Sequence, residues 1–389
     1  MKRSTERILT THVGSLARPD DILKLMQART AGQALDEPAF NRRVRDAVAG
    51  CVRQQVDAGI DVVSDGEQGK DSFYAYARER LGGFEAHDGG PQGSRPWSQE
   101  IRAFPDYYET YYFGRRSKGR VGADLVLVCT GPVSYKGHAA VQTDIANLKA
   151  AATAAGAVDA FMPATAPQGL GANKYYKTDE EFMFAIAEAM REEYRAIVDA
   201  GLVLQVDDPA LTSFFTQEGR SPEARRTLAE GYVDALNHAL RGIPPDMVRF
   251  HTCYGINEGP RVHDAPLRDI VETMLRINAG AYSFEGANPR HEHEYHVFED
   301  VKLPEGKVII PGVISHTTNV VEHPELVAER IVRYAGLVGR ERIIAGSDCG
   351  FSSQATFRPD VHPTVVWAKF EALAKGAQLA SQRLWRQGS

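Results

Sequence analysis

Short apolar runs, each closed by a polar or glycine-containing turn, alternate along this chain with longer segments whose apolar positions recur at helical spacing. That alternation is the pattern of βα units feeding a parallel sheet. Nine runs read as strands: 8–13, 61–64, 123–129, 158–162, 203–206, 247–251, 281–284, 308–313 and 342–345. Among the amphipathic stretches, 180–200 places Phe182, Ile186, Met190, Tyr194 and Ile197 on one helical face, with Thr178 as the capping residue before it and Gly201 after it. The stretch 364–386 repeats Val366, Phe370, Leu373, Leu379 and Leu384 in the same way and reads as a closing helix.

Nine runs exceed by one the places of a (β/α)8 TIM barrel. Between 81 and 122 the alternation breaks into Gly- and Pro-rich sequence, then Tyr107-Tyr108-Glu-Thr-Tyr111-Tyr112-Phe113, then Arg115, Arg116 and Lys118. This stretch reads as an excursion inserted after the second strand and covering one mouth of the barrel, with 123–129 pairing against it as a hairpin outside the barrel. A surface loop with an aromatic packing patch is the competing reading. The expected fold class is α/β, a (β/α)8 TIM barrel with that inserted excursion, residues 1–389 forming one domain and the insertion falling at about 81–122.

Composition narrows the function classes. The chain has 389 residues, 43% hydrophobic and 25% charged, ample apolar material for one large core. A net charge of −6 gives no basic footprint, so no nucleic-acid partner is expected. No signal-like apolar segment follows Met1 and no run is long enough to span a bilayer, so a cytoplasmic protein without a membrane partner is expected. Four cysteines form no disulfide framework, and reduced thiols suit metal ligation. Nothing in the chain fixes an oligomeric state.

Active sites of this fold are built at the C-terminal ends of the strands, and the residues there are unusually rich in donors. They are Ser15, Glu67, Asp207-Asp208-Pro209, His251-Thr252-Cys253, Glu285, His316 and Cys349. In extended chain, positions i and i+2 face the same way, so His251 and Cys253 can meet one ion, and zinc accepts mixed nitrogen and sulfur ligands. Glu285 and Cys349 each end an apolar run before a glycine and are the further donors. Structural zinc sites gather close-set pairs of ligands, whereas these come from distant strand ends; structural zinc and metal-free buried cysteines remain the alternatives. Cys51 and Cys129 sit in apolar surroundings and read as core. His291-Glu-His293-Glu-Tyr-His296 reads as a solvated loop or helix start rather than a second metal site, with Asn288-Pro-Arg290 holding the Glu285 loop. Asp207 and Asp208 have a plainer reading too, as caps of a helix that starts at Pro209.

From Thr10-Thr-His-Val-Gly-Ser15 to about Phe351, these separated motifs resemble the cobalamin-independent methionine synthase family, in particular its short single-domain members, which resemble the C-terminal catalytic domain of the long synthases. The resemblance implies a zinc-dependent methyltransferase with zinc on His251, Cys253, Glu285 and Cys349. It further implies that Ser15, Glu67 and Asp207 hold the carboxylate and amino group of homocysteine, and that His316 donates a proton to the leaving group. Two thiolates, a carboxylate and a neutral imidazole leave a zinc site with a net charge of about −1, which keeps a bound thiolate nucleophilic. The implied reaction is methyl transfer to a small thiol, homocysteine foremost, from methyltetrahydrofolate or a methylated corrinoid. Departures fall at Gly255, where the long synthases carry another cysteine, at Asp208, where they carry a glutamate, and in the expected lack of the N-terminal barrel that helps hold a polyglutamyl folate. Two other activities fit the same thiol chemistry: alkylation of coenzyme M by an epoxyalkane, and zinc-dependent thiol binding without turnover. A decarboxylase of the uroporphyrinogen type needs no zinc. No role is assigned to His12.

Overall fold

The computed structural model describes residues 1–88, 98–113, 119–121, 125–168, 170–255 and 259–385. Its strands are β1 (Leu9–Thr10), β2 (Val62–Val63), β3 (Leu81–Asp88), β4 (Leu125–Tyr135), β5 (Asp159–Thr165), β6 (Ala172–Asn173), β7 (Val203–Asp208), β8 (Val248–Thr252), β9 (Ala281–Phe284), β10 (Val308–Ile314) and β11 (Ile344–Ser347). Eight of them form one sheet in the order β1-β11-β10-β9-β8-β7-β5-β2. A parallel bridge from Thr11 to Val62 brings β1 back to β2. Every ladder in this sheet is parallel, and helices surround it, so the expected (β/α)8 barrel is the fold.

Each strand is covered on both faces, which is why the runs read as continuously apolar rather than alternating. One face packs on the helices. The other fills the barrel with Leu9, Ala281, Val308, Ile310 and Ile344 on one side and Val62, Phe161 and Val203 on the other. Arg249 crosses this interior wholly buried, donating to Thr11 Oγ1 at 2.9 Å and His12 O at 2.7 Å, with its guanidinium 3.9 Å from the Phe161 ring centroid. The helix Asp179–Asp199 starts on Thr178, whose hydroxyl accepts from Glu181 N at 3.1 Å, and ends before Gly201 at φ 84°. The last helix spans Pro363–Trp385. Among the described residues, no helix is long and apolar enough to cross a membrane.

The surplus run lies outside the barrel. β4 pairs antiparallel with β3 and parallel with β6, a separate three-stranded sheet. Residues 98–113 are largely helical, with a π-helical turn over Tyr107–Tyr112 that buries Tyr108 and Tyr112. They lie against the loops that leave the strands' C-terminal ends. Gln99 Nε2 donates to Thr216 O at 3.1 Å, Arg102 pairs with Glu218, and Glu100 Oε1 accepts from His263 N at 2.8 Å. Farther round the rim, Val121 N and Phe357 N bond Ala355 O and Gly119 O, both at 3.0 Å. The excursion therefore roofs the mouth at which the candidate residues stand. Arg115, Arg116 and Lys118 lie outside the described residues.

Candidate active site

His251, Cys253 and Cys349 converge: one ligand atom from each lies within 4.8 Å of the others, and all three residues are buried. The pleat of β8 carries His251, and the chain beyond it turns Cys253 to the same side, where Thr212 Oγ1 holds the Cys253 carbonyl at 2.9 Å. His251 Nδ1 lies 3.1 Å from Ser283 Oγ, and among the described residues its buried Nε2 has no hydrogen-bond partner. With Nδ1–H on the serine, Nε2 keeps a lone pair available to a metal. Burial, with Arg249 nearby, lowers the imidazole's pKa to about 3, so it is neutral at pH 7. The Cys349 thiol is pushed well above its usual value by Cys253 beside it and by burial, so Cys349 becomes a thiolate only with a cation present.

Glu285 falls in an adjoining group, with His316 and Asp348, whose ligand atoms also lie within 4.8 Å of one another. Its carboxylate is heavily held: Tyr254 N donates to Oε1 at 3.0 Å, and Arg261 Nη1 and Asn288 Nδ2 donate to Oε2, both at 2.8 Å. Burial would raise its pKa, but Arg261, His316 and His291 hold it at about 2, so it is a carboxylate throughout the physiological range. Asn288 thus holds the Glu285 side chain as expected. His291, however, is buried rather than solvated. It stacks on Tyr254 at 4.0 Å, and its ring nitrogens lie 2.8 Å from Glu294 Oε2 and 3.2 Å from Asp264 Oδ2. Burial opposes its charge, but these two acids raise its pKa to about 9, so it is a structural cation. His316 leaves β10 in a loop pinned by Glu322, which accepts Ser315 N at 2.7 Å and Lys369 Nζ at 2.8 Å.

The acids of the other strand ends gather beside this centre. Glu67 is wholly buried at φ 56°, a left-handed conformation that costs a non-glycine residue about 1 kcal/mol or more. Its Oε2 lies 3.5 Å from Arg18 Nη2. Burial raises its pKa to about 7 against the pull of Arg18 and Lys70, and Asp65 adds to the rise. Asp207 is raised well above the ordinary range by burial first and by Glu67 second. Two buried carboxyl groups with raised pKa values, one pushed up by the other, would be relieved by a cation placed between them. Ser15 sits with its Oγ 3.4 Å from Ser353 Oγ and its carbonyl accepting Phe351 N at 3.0 Å, and it packs so closely on Gly350 that a Cβ there would overlap its hydroxyl. This brings the β1 loop against the residue after Cys349. Asp208 instead caps the helix Ala210–Phe214, its Oδ1 accepting Ala210 N at 2.7 Å and Leu211 N at 3.1 Å.

A family model described as "Cobalamin-independent synthase, Catalytic domain" matches residues 175–362, the stretch that holds Asp207, both donor groups and the loops between them. A methionine synthase of Saccharolobus islandicus is 24% identical over 97% of this chain and 96% of its own length, and one of Sulfolobus acidocaldarius is 28% identical over 63% of this chain and 61% of its own. The solved structure of a B12-independent methionine synthase from Shewanella sp. W3-18-1, in complex with selenomethionine, has the same fold, with a TM-score of 0.73 at 21% identity over 98% of this chain and 99% of that one. Over residues 175–362 the chain is similar to the catalytic domain of the cobalamin-independent methionine synthase family. That likeness supports an enzyme of the methyltransferase class.

The donor set suits zinc: a neutral imidazole with a buried lone pair, two thiols within reach of it, and a carboxylate on the adjoining strand end. Four residues of the centre are absent from the sequence reading. Asp348 carried a usable signal, since it precedes Cys349. Arg18 donates through Nη1 to Leu16 O at 3.2 Å and to Ser352 O, and through Nη2 to Lys70 O at 3.0 Å, tying the loops after β1, β2 and β11. Lys70 Nζ donates to Pro163 O at 2.8 Å and lies 4.3 Å from the Tyr76 ring centroid. Arg261, at φ 59°, had no signal at all. His12 is accounted for by its neighbours: Nε2 meets Gln55 Oε1 at 2.8 Å and Nδ1 accepts Gly14 N at 3.2 Å, so it fixes the turn into Ser15.

Proposed function

We propose that this barrel transfers a methyl group to the thiol of homocysteine, giving methionine, with zinc on His251, Cys253, Glu285 and Cys349. The observation that carries the proposal is the meeting of the His251 imidazole with two cysteine sulfurs beside a pair of buried, mutually repelling carboxyl groups. Bound there, zinc supplies the Lewis acidity that ionises an acceptor thiol at neutral pH. Glu67 and Asp207 take the acceptor's ammonium, which relieves their repulsion, and the Ser15 turn takes its carboxylate. The roof of residues 98–113 excludes water.

The acceptor sulfur forms its bond to the methyl carbon as the carbon's bond to the donor breaks. When the donor is a tertiary amine such as methyltetrahydrofolate, the departing nitrogen must gain a proton, and His316 supplies it. When the donor is a methylated corrinoid, the cobalt leaves with the electron pair and takes no proton. Coenzyme M carries a sulfonate and no ammonium, so the Glu67 and Asp207 pair argues against the epoxyalkane reaction. The test is methionine formation by the zinc-loaded protein from homocysteine, with each donor in turn and with coenzyme M as the competing acceptor. Zinc-loaded protein that methylates coenzyme M and homocysteine equally, or neither, overturns the proposal.

A further inference from the structure

β9 and β11 deliver Glu285 and Cys349, and β10 runs between them, so these two donors have no direct ladder to fix their separation. A single side chain spans the gap. Asp348, fully buried, accepts Gly286 N and Ala287 N on Oδ1, both at 2.8 Å, and Asn288 Nδ2 on Oδ2 at 3.1 Å. The same Asn288 nitrogen donates to Glu285 Oε2 at 2.8 Å, so one amide joins the two carboxylates. Asp348 N donates to Ile314 O at 3.0 Å, which seats its backbone on the end of β10.

The carboxylate passes over β10 at Gly312. A Cβ on that residue would overlap Asp348 Oδ1 and stand 2.7 Å from the Asp348 Cα. The β10–β11 register also shifts between Gly312 and Ile314, which opens the ladder at the crossing. Sequence and backbone have thus made a gap in the intervening strand, and an acid from the next strand fills it. Three donors on one carboxylate leave it little freedom, and Cys349 follows Asp348 by one peptide.

We infer that Asp348 is a positioning residue that sets the separation of Glu285 and Cys349 across Gly312, and thereby the affinity and geometry of the metal centre. This rests on the zinc reading above. Partners of metal ligands are typically worth about 10- to 100-fold in affinity. Asp348→Asn keeps its shape and one acceptor oxygen but faces the Asn288 amide with an amide of its own. Asp348→Ala leaves both loops untied, and Gly312→Ala displaces the carboxylate without removing it.

The experiment is chelator competition for zinc on the folded protein, joined to the absorption spectrum of the cobalt(II)-substituted form. Wild-type protein is expected to bind both metals. Asp348→Asn is expected to lose about tenfold in zinc affinity, and Gly312→Ala to lose affinity in the same direction. In both, the ligand-field bands of cobalt should shift while the two sulfur-to-cobalt charge-transfer bands remain, because the cysteines are still present. Wild-type zinc affinity and an unchanged cobalt spectrum in folded Asp348→Asn overturn the inference. If Asp348→Ala unfolds, the isosteric Asn variant still decides. Wild-type protein that binds neither metal sinks the zinc reading itself, which is a separate failure.

Discussion

Asp207 and Asp208 are chain neighbours with divergent surroundings: Asp208 Oδ1 receives two backbone N–H groups of the helix Ala210–Phe214, while Asp207 Oδ1 receives the Gln205 amide at 2.6 Å and its charge is opposed by Glu67. The first arrangement is a cap, and the second is the one proposed to receive the acceptor's ammonium. Asp208→Ala should therefore lower the unfolding free energy by about 1 kcal/mol, the usual worth of a cap, and leave the acceptor KM near its wild-type value. Asp207→Asn should do the reverse, raising KM for homocysteine at least tenfold with a small change in melting temperature. Denaturation and steady-state rates on the two variants check the contrast, and equal KM effects would refute it.

Cys349→Ser and Cys253→Ser should each lose most bound zinc and nearly all activity while circular dichroism stays that of the wild type. The barrel core does not draw on the metal: its apolar interior and helical shell are complete without it. Metal content and far-ultraviolet spectra measured on the same samples decide between this outcome and an unfolded variant, which would make the zinc structural.

The ionisation of Glu67 links stability to pH. Its pKa is raised from 4.5 to about 7, with Arg18, Lys70, Asp65 and Asp207 the charged groups that act with it. A raised carboxyl favours the folded state while protonated, so its contribution is full below about pH 4.5 and is lost as the pH climbs through 7. Glu67→Gln removes the titration. The ligand-free variant should gain stability relative to wild type between pH 5 and pH 8, by an amount on the order of 2 kcal/mol. Urea midpoints at the two pH values test this; a difference between the proteins that stays constant with pH contradicts it.

His316→Asn should distinguish donors. Loss of the proton source should slow transfer from methyltetrahydrofolate by 100-fold or more, the usual range for a general acid, and slow transfer from a methylated corrinoid less than tenfold. Single-turnover rates with both donors provide the comparison. Equal losses would mean that His316 serves binding rather than proton transfer.

The barrel was legible because parallel strands buried on both faces leave apolar runs that need no partner to be seen, and β7 to β11 all fall on such runs. β3 was not, since Leu81-Gly-Gly-Phe-Glu-Ala-His-Asp88 has two glycines and weak alternation, and its strand character comes from pairing with β4. At the site, the fold rule that chemistry stands at strand ends located His251, Cys253, Glu285, His316 and Cys349 before any coordinates. Arg18, Arg261 and Asp348 escaped because each serves backbone or side-chain atoms of distant loops, and that service exists only once the loops have met. His291 was misjudged for a related reason: Asp264, which with Glu294 makes its burial tolerable, is distant in the chain.

Arg18 has a mechanical consequence. Its guanidinium bonds carbonyls of three loops at once, so the strand ends bearing Ser15, Glu67 and Cys349 form one stiff arc of the rim. Across the mouth, the roof meets the loop after β7 through Gln99 and through Arg102 and Glu218, both more than half exposed, and the loop after β8 through the buried Glu100. Water competes for the Arg102–Glu218 pair and not for the buried bonds beneath Arg18. The rim is therefore firm beneath Arg18 and softer where Arg102 meets Glu218: with the acceptor held by Ser15 and Glu67 as proposed, it would be gripped on the firm side, and a bulky donor would enter at the other.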